Sequence, residues 1–178
     1  MRKRTFLLVC FISLLLVGCA RCRPTHTATD INKSDLVEIG YLIVDKLIDN
    51  LHSNLNTEQC VLVACFVDVN NVQRSSNFGR MLPEHMVSRL AQNGYTVVEM
   101  KLRDSIYIKE GAGEFLLSRR IKDISSAHNA QAVVVGTYLL APKDLYIAAR
   151  IVQADSARII SSCDLRLPLS DELRTMVY

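Results

Sequence analysis

The sequence has few of the short motifs that mark catalytic or nucleotide-binding sites. It contains no G-x-S-x-G elbow, no S-x-x-K pair and no Walker loop, so the usual signatures of serine hydrolases, β-lactamases and P-loop enzymes are missing. Gly111-Ala112-Gly113 is similar to the start of a dinucleotide-binding loop, but Leu116 stands in the place of the third glycine and no acidic ribose partner follows. We interpret this stretch as a hinge between a strand and a helix. The sequence therefore predicts a protein that is not an enzyme and needs no cofactor.

Histidine is scarce, and its four copies are scattered along the chain. His26 lies in a polar stretch, whereas His52, His85 and His128 lie in segments that we predict to be helical. His85 follows Glu84 directly, which differs from the H-E-x-x-H spacing that places two imidazoles on one helical face. We interpret each histidine as a surface or helix-cap residue, and we predict no metal site.

Excess charge is also missing from the part of the chain that we expect to be mature. The full sequence has 21 basic and 18 acidic side chains. Three of the basic ones, Arg2, Lys3 and Arg4, belong to a predicted signal peptide, so the remainder is balanced. A balanced domain has no electrostatic footprint for DNA or RNA, and we predict no nucleic-acid partner.

The chain begins with an apolar run that is too short to cross a membrane. The run from Phe6 to Val17 is interrupted only by Ser13 and follows the three basic residues. About a dozen helical residues span roughly 18 Å, whereas a bilayer core needs roughly 30 Å. The pattern therefore predicts a cleaved signal peptide over residues 1–18.

Leu16-Val17-Gly18-Cys19 resembles the lipobox of bacterial lipoproteins at all four positions. That site needs a small residue before the cleaved bond and a thiol after it, because the sulfur is diacylglyceryl-modified before cleavage. We expect cleavage between Gly18 and Cys19 and lipidation of Cys19. The alternative is an ordinary secretory signal followed by a chance cysteine. Ala20 is not the aspartate that retains many lipoproteins in the inner membrane, so the resemblance implies the outer membrane of a Gram-negative bacterium, facing the periplasm.

Four further cysteines would reach this oxidising compartment: Cys22, Cys60, Cys65 and Cys163. Four thiols allow three pairings, and the sequence does not choose between them. Cys19 and Cys22 have C-x-x-C spacing, but a lipidated sulfur cannot serve as a redox partner or zinc ligand. The other three lie in strand-like runs, where a cysteine behaves as a small buried hydrophobe. We expect no obligatory disulfide.

Residues 19–34 are polar and lack periodicity, which indicates a flexible tether of roughly 50 Å at full stretch. Asp35–Leu55 is predicted as the longest helix, with Ser34 or Asp35 as its N-cap. Its apolar residues cover about half of the circumference, and its polar face is mainly acidic, so we expect it to lie across a sheet and not on a membrane. The predicted apolar face consists of one stripe, Val37, Tyr41, Val44, Ile48, Leu51 and Leu55, and of an adjoining stripe, Leu36, Gly40, Ile43 and Leu47.

A second predicted helix contains a proline. Because a proline inside a helix costs about 3 kcal/mol, we place Pro83 in the first turn and interpret Phe78–Leu82 as a separate short turn. The helix is predicted to run to about Asn93, with Gly94 as the C-cap. Its predicted inward residues are Met86, Leu90 and Ala91.

Two continuous apolar runs, Cys60–Val67 and Ala132–Leu140, are typical of interior strands covered on both faces. In the last predicted strand, Arg158–Leu167, alternate residues from Ile159 onward are expected to face the core. The other predicted elements are strands at 95–100, 105–109 and 145–153 and a third helix at Glu114–His128.

The order of these elements predicts an α/β (α+β) fold. We expect one mixed, partly antiparallel sheet of about five to six strands, with three helices packed mainly on one face. After the signal peptide and the tether, residues 35–178 form a single predicted domain.

Two surface features are candidates for binding. Asp68 ends the first apolar run beside Asn70 and Asn71, where an open α/β sheet would place a ligand, although a lone carboxylate there more often starts a loop. Tyr146 and Val152, on the outer strands, are candidates for an exposed interface, although single exposed hydrophobic residues are normal.

Five segments in order are similar to the FlgO family of outer-membrane proteins, and the similarity extends from about Leu36 to Leu169. The segments are Val61–Asp68, Arg74–Leu82, Leu90–Tyr95, Gly113–Arg119 and Ala130–Tyr138. The resemblance implies a sheet-and-helix domain similar to the amino-terminal domain of TolB-like proteins. It brings no catalytic residue, and Cys19 is the functional residue that it implies.

The resemblance also implies a function. It points to a non-enzymatic structural or assembly accessory of the bacterial flagellum that is needed for motility. The implied partners are the outer membrane, reached through the lipid, and ring proteins of the basal body, together with further copies of the chain in a homo-oligomer. The alternative is a general cell-envelope lipoprotein that binds or regulates a cell-wall enzyme.

We expect the protein purified from membranes to carry acyl chains on Cys19, because several buried chains at about 0.8 kcal/mol per methylene make anchoring effectively permanent. Mass spectrometry of the amino-terminal peptide tests this prediction. A bare Cys19 thiol, or recovery of the protein in a periplasmic wash, would contradict it.

Overall fold

Six strands and three helices have defined bounds in the described part of the chain, and residues 125–127 are also helical. A computed structural model describes residues 35–71, 76–100 and 125–177. The lipobox, the tether, the predicted strand at 105–109 and the Gly111–Gly113 hinge lie outside these ranges, as does the third predicted helix up to residue 124. The elements are α1 (Leu36–Asp49), β1 (Cys60–Ala64), β2 (Val67–Asp68), α2 (Asn77–Gln92), β3 (Val97–Met100), β4 (Ala130–Leu140), β5 (Asp144–Gln153), β6 (Ile159–Pro168) and α3 (Asp171–Val177).

The strands form one mixed sheet in the order β3-β1-β4-β5-β6, with β2 paired to β4. β1 is parallel to β3 and β4, and the last three strands form an antiparallel meander. All three helices contribute to one main apolar core on a single face of the sheet. The predicted fold class is therefore confirmed. The two continuous apolar runs are neighbouring interior strands, as expected for strands buried on both faces.

Helix α1 is shorter than predicted. Asp35 caps it by accepting a hydrogen bond from the Val37 N–H at 2.9 Å. The helix ends at Asp49 and not at Leu55, because the Asn50 side chain donates to the Ser162 carbonyl and the His52 N–H donates to the Ile160 carbonyl. These bonds to β6 replace a further turn. The residues buried along α1 are Leu36, Ile39, Gly40, Ile43, Val44 and Leu47. Burial therefore centres on the adjoining stripe of the predicted apolar face, together with Val44, and adds Ile39.

The first apolar run breaks where a continuous strand was predicted. Val63 pairs with Val134, and Val67 pairs with Thr137, so β1 and β2 together contain one residue more than the matching stretch of β4. Phe66 leaves the ladder at this point. Its N–H donates at 2.9 Å to the carbonyl of Gly79 in α2.

Pro83 lies inside α2, which corrects the prediction that it opens the helix. The helix starts at Asn77, and the hydroxyl of its N-cap, Ser76, accepts from the Gly79 N–H at 3.0 Å. A proline has no N–H, so the carbonyl four residues earlier, that of Gly79, loses its helical partner. Phe66 supplies the missing donor. The cost of an interior proline is therefore reduced by a tertiary hydrogen bond that the helix alone does not predict.

The side chain of Phe66 lies over Gly136 of β4. A Cβ atom at Gly136 would overlap the Phe66 ring, and one at Gly79 would overlap the Phe66 carbonyl oxygen. Tyr138 completes the contact: its hydroxyl is 2.7 Å from the Ser76 hydroxyl, and its ring meets Phe78 edge to face at 5.1 Å. We call this group the Phe66 cluster: Phe66, Ser76, Phe78, Gly79, Gly136 and Tyr138.

Three local predictions on buried positions are wrong. Val152 is buried, because it packs with Leu62 and Val133 in a smaller apolar cluster on the second face of the sheet. Ala91 is exposed. The alternation in β6 fails at its start. Val152 pairs with Ile159 and Ile151 pairs with Ser161, so Ile160 between them forms a β-bulge. As a result Ile160 is buried and Ile159 is exposed.

Helix α3 was not predicted. Ser170 precedes it and accepts from the Leu173 N–H at 3.2 Å, and Asp171 and Glu172 occupy the first turn, where acidic residues are favourable. Leu173 and Val177 are buried in the main core. The chain therefore closes the end of its core with its last described turn.

We expect Gly136→Ala to lower the free energy of unfolding by about 1–3 kcal/mol, because the new methyl group overlaps the Phe66 ring. Gly94→Ala is the matched control. Gly94 has open space around it but a φ of +86°, so the new methyl group meets no atom and the substitution lowers the free energy of unfolding only through backbone strain, by about 1 kcal/mol. Urea denaturation of both variants measures the difference. A smaller loss at Gly136 than at Gly94 would contradict the tight contact.

Candidate functional site

A polar cleft lies at the end of the sheet where β1 and β4 begin. Its volume is about 320 Å³. It is lined by Ser53, Asn54, Leu55, Asn56, Gln59, Ala130, Gln131, Gln153, Ala154, Asp155 and Ile160. We call it the amide cleft, because primary amides supply most of its polar groups. Such a lining offers both donors and acceptors and carries little charge, which suits neutral polar partners such as peptide backbone.

Gln131 organises the amide cleft. Its Oε1 accepts from the Asn56 N–H at 2.9 Å, and its Nε2 donates to the Gln59 carbonyl at 2.9 Å and to the Asn56 carbonyl. One side chain thus fixes the connection between α1 and β1. Gln131 stands at the start of an apolar run, and this lone amide was a signal that the sequence interpretation passed over.

Asp68 lies at the opposite end of β1 and β2 and shapes a turn. Its Oδ1 accepts from the Asn70 N–H at 2.9 Å, and its carbonyl accepts from the Asn71 N–H at 3.1 Å. These are the bonds of a carboxylate that starts a loop. The structure therefore uses Asp68 for local geometry and does not bring it near the amide cleft.

The cysteines are held in apolar surroundings. Burial raises the pKa of the Cys163 thiol and that of the Cys60 thiol. A raised pKa keeps each sulfur in the protonated form at neutral pH, which is the less reactive form. Cys60 and Cys163 are free thiols, and Cys65 lies half-buried next to Phe66. Cys22 lies outside the described residues.

The three described histidines form no metal-binding group. His52 and His128 are exposed, whereas His85 is half-buried where α2 crosses α1, at the point where Gly40 leaves room for its Cβ. His26 lies outside the described ranges. Within the part of the chain that the structure describes, no group of three or more metal-binding side chains comes together.

An ion pair joins the outer sides of α1 and α2. Arg89 Nη2 and Nε each lie 2.8 Å from an Asp45 carboxylate oxygen, and the guanidinium lies 5.3 Å from the centre of the Tyr41 ring. The hydrogen bonds that Arg89 donates to Asp45 raise the pKa of Arg89, so the guanidinium stays charged. Two parallel bonds fix orientation as well as distance, which makes the helix pair a rigid unit.

The second face of the sheet is open along β5 and β6. Tyr146 is 40% exposed, as predicted, and the Arg166 guanidinium lies 6.0 Å from its ring centre. Arg166 Nη2 is 3.0 Å from Asp144 Oδ2, and this bond raises the pKa of Arg166. A mixed aromatic and charged face of this kind is typical of the rim of a protein interface.

Residues 41–172, most of the chain, match the family described as FlgO protein. The chain belongs to the FlgO family. Three of the five segments that carry the resemblance converge in the Phe66 cluster: the first contributes Phe66, the second Phe78 and Gly79, and the fifth Gly136 and Tyr138. The segment Gly113–Arg119 lies outside the described residues.

The FlgO-family fold is also found in solved structures. The LpoB C-terminal domain from Salmonella enterica has a TM-score of 0.54 at 16% identity and covers 76% of this chain and 99% of that chain. The LpoB C-terminal domain from Escherichia coli has a TM-score of 0.49 at 14% identity and covers 72% of this chain and 97% of that chain. The PelC dodecamer from Paraburkholderia phytofirmans has a TM-score of 0.45 at 10% identity and covers 66% of this chain and 76% of that chain.

At 16% identity, the similarity to the Salmonella enterica domain shows a shared fold alone. No curated protein matches the FlgO-family chain in sequence. No helix in the ranges 35–71, 76–100 and 125–177 is long and apolar enough to cross a bilayer.

We expect Gln131→Glu to loosen the α1–β1 connection, because it replaces two donated hydrogen bonds with a carboxylate facing carbonyl oxygens. The expected loss is about 1–3 kcal/mol in the free energy of unfolding. Gln153→Glu is the matched control, since the Gln153 side chain only accepts, from Ser156 at 3.1 Å, and glutamate keeps that role.

Hydrogen exchange of the Asn56 amide is the second measurement. It should quicken in Gln131→Glu and stay unchanged in Gln153→Glu. Equal behaviour of the two variants would show that Gln131 does not hold the cleft together.

Proposed function

We propose that this chain is an outer-membrane lipoprotein, anchored through Cys19, that acts as a non-enzymatic structural or assembly accessory of the bacterial flagellum and is needed for motility. Its proposed partners are the membrane, reached through the lipid, and ring proteins of the flagellar basal body. The observation that carries the proposal is the FlgO-family match over residues 41–172.

The direction in which the domain is tethered supports this proposal. The end of α1 contacts the start of β6 beside the amide cleft, through Asn50 and His52. Because α1 has 14 residues, its first residue lies roughly 20 Å away, toward the other end of the sheet. The first described residue, Asp35, therefore lies far from the amide cleft. The cleft can then face the periplasm while the lipid stays in the membrane.

The way the domain uses its polar groups also supports a binding role. Three polar side chains near the core are committed to structure: Ser76 caps α2, Asp68 shapes a turn, and Asp45 joins two helices. The amide cleft and the open face around Tyr146 remain accessible to a partner. Both surfaces combine hydrogen-bonding groups with modest apolar area, which suits docking of a protein.

Deletion of the gene should leave growth and envelope integrity normal but reduce swimming, with external filaments fewer or unstable. Soft-agar motility, filament counts by electron microscopy and a detergent-lysis assay measure these effects. Complementation with the wild-type chain should restore swimming, whereas a Cys19→Ala chain should not, because its domain is no longer held at the membrane. Growth and lysis defects with normal swimming would instead favour the cell-wall-enzyme alternative.

A further inference from the structure

Among the described strands, β6 ends the sheet and leaves one edge partly uncovered. The Leu169 N–H donates to the Lys143 carbonyl, so the backbone groups of Leu169 face β5. Backbone direction alternates along a strand, so those of Leu167, Leu165 and Cys163 face β5 as well. The residues between them direct their N–H and carbonyl groups away from the sheet. The Asn50 side chain confirms this direction, because it reaches the outward Ser162 carbonyl at 3.0 Å.

The uncovered stretch therefore consists of Ser162, Asp164, Arg166 and Pro168. At one end, Asn50 already occupies the Ser162 carbonyl. At the other end, Pro168 has a carbonyl but no N–H. Asp164 and Arg166, between them, have outward N–H and carbonyl groups that no other residue of 35–71, 76–100 or 125–177 bonds. Both side chains are exposed.

We propose that two copies of this chain pair antiparallel along β6, with Asp164 of one copy opposite Arg166 of the other and the two-fold axis at Leu165. The proposal concerns self-association and does not depend on the flagellar role. Such an interface is isologous, so the same short stretch must be complementary to itself. The sequence around Leu165 meets that condition in its hydrogen bonds, its charges and its apolar contact.

The hydrogen bonds match at every position of this register. Asp164 and Arg166 exchange both of their outward bonds, once on each side of the axis. Ser162 then lies opposite Pro168. The Ser162 N–H of one copy donates to the Pro168 carbonyl of the other copy. Pro168 has no N–H to donate in return, and the Ser162 carbonyl opposite it already accepts a hydrogen bond from Asn50. Every outward group is satisfied, and about six backbone bonds join the copies.

The charges select the antiparallel arrangement. Asp164 has no ion pair of its own among the described residues, whereas Arg166 is paired with Asp144 and remains 67% exposed. Antiparallel pairing places each Arg166 between its own Asp144 and the other copy's Asp164. A parallel pairing in register would instead bring like charges together, which is unfavourable. Charged residues on an edge strand often prevent association. Here the order of Asp164 and Arg166 makes an antiparallel second copy electrostatically complementary.

Leu165 supplies the apolar contact. It is half-buried against the main core. At a non-hydrogen-bonded antiparallel pair the two Cα atoms lie about 4.5 Å apart, so the two copies of Leu165 would cover each other. The joined sheet then continues from one copy into the next.

Charge reversal tests the pairing in the intact lipoprotein, with detergent micelles in excess over protein. Sedimentation velocity should detect a dimer for the wild type. Asp164→Arg and Arg166→Asp each replace attraction with repulsion at two symmetric positions and should raise the dimer dissociation constant roughly tenfold. The double variant D164R/R166D restores opposite charges and should return to within about threefold of the wild type.

Glu58→Arg is the matched control, since it makes the same charge change at an exposed position outside this edge and should leave dimerisation unchanged. Rescue by the double variant also excludes misfolding as the cause of a loss. A monomeric wild type at tens of micromolar, or an Asp164→Arg variant that dimerises as well as the wild type, overturns the proposal.

Cysteine cross-linking provides a second readout. Leu165→Cys places two thiols at the two-fold axis, close enough for a disulfide, and should yield a covalent dimer on a non-reducing gel after mild oxidation. Ile159→Cys, at an exposed position elsewhere on β6, should not. Equal cross-linking of the two variants, or none at position 165, overturns the register.

Discussion

The hydrogen bond from the Phe66 N–H to the Gly79 carbonyl is the contact on which the rest of the domain depends. It exists because Pro83 leaves that carbonyl without a helical donor and because Gly79 has no Cβ to keep the strand away. The bond turns Phe66 out of the ladder and onto Gly136, which sets the distance between α2 and β4. Ser76 and Tyr138 then join across the same contact. A helix, a strand break and the middle of the sheet are thus fixed together.

The domain separates its tasks by position. One face of the sheet holds the main core, and the rigid α1–α2 pair, joined by Asp45 and Arg89, covers it. The other face is open around Tyr146. The two ends of the sheet differ as well, since the amide cleft lies at the end where β1 and β4 begin and the turn shaped by Asp68 lies at the other. The surfaces at the two ends and on the open face can therefore change without altering the Phe66 cluster, which lies at the centre of the fold.

Periodicity predicted much of this fold. Continuous apolar runs identified the interior strands, and alternation identified the meander, because both depend on burial that the sequence records directly. The failures came from tertiary hydrogen bonds. Asn50 ends α1 by reaching β6, and Phe66 supports Pro83 inside α2. Neither effect is visible in a local window. The amide cleft was missed for the same reason, since Gln131 acts on residues more than seventy positions earlier.

The position of β1 in the sheet has a consequence for the order of folding. Cys60 pairs with Ala130, so β1 cannot take its interior place until the chain has been synthesised as far as β4. The strands β4, β5 and β6, by contrast, pair with sequence neighbours and can form quickly once they emerge. A long contact between early and late segments delays closure of the core. The interior of the sheet is therefore completed only when the last third of the polypeptide has been synthesised.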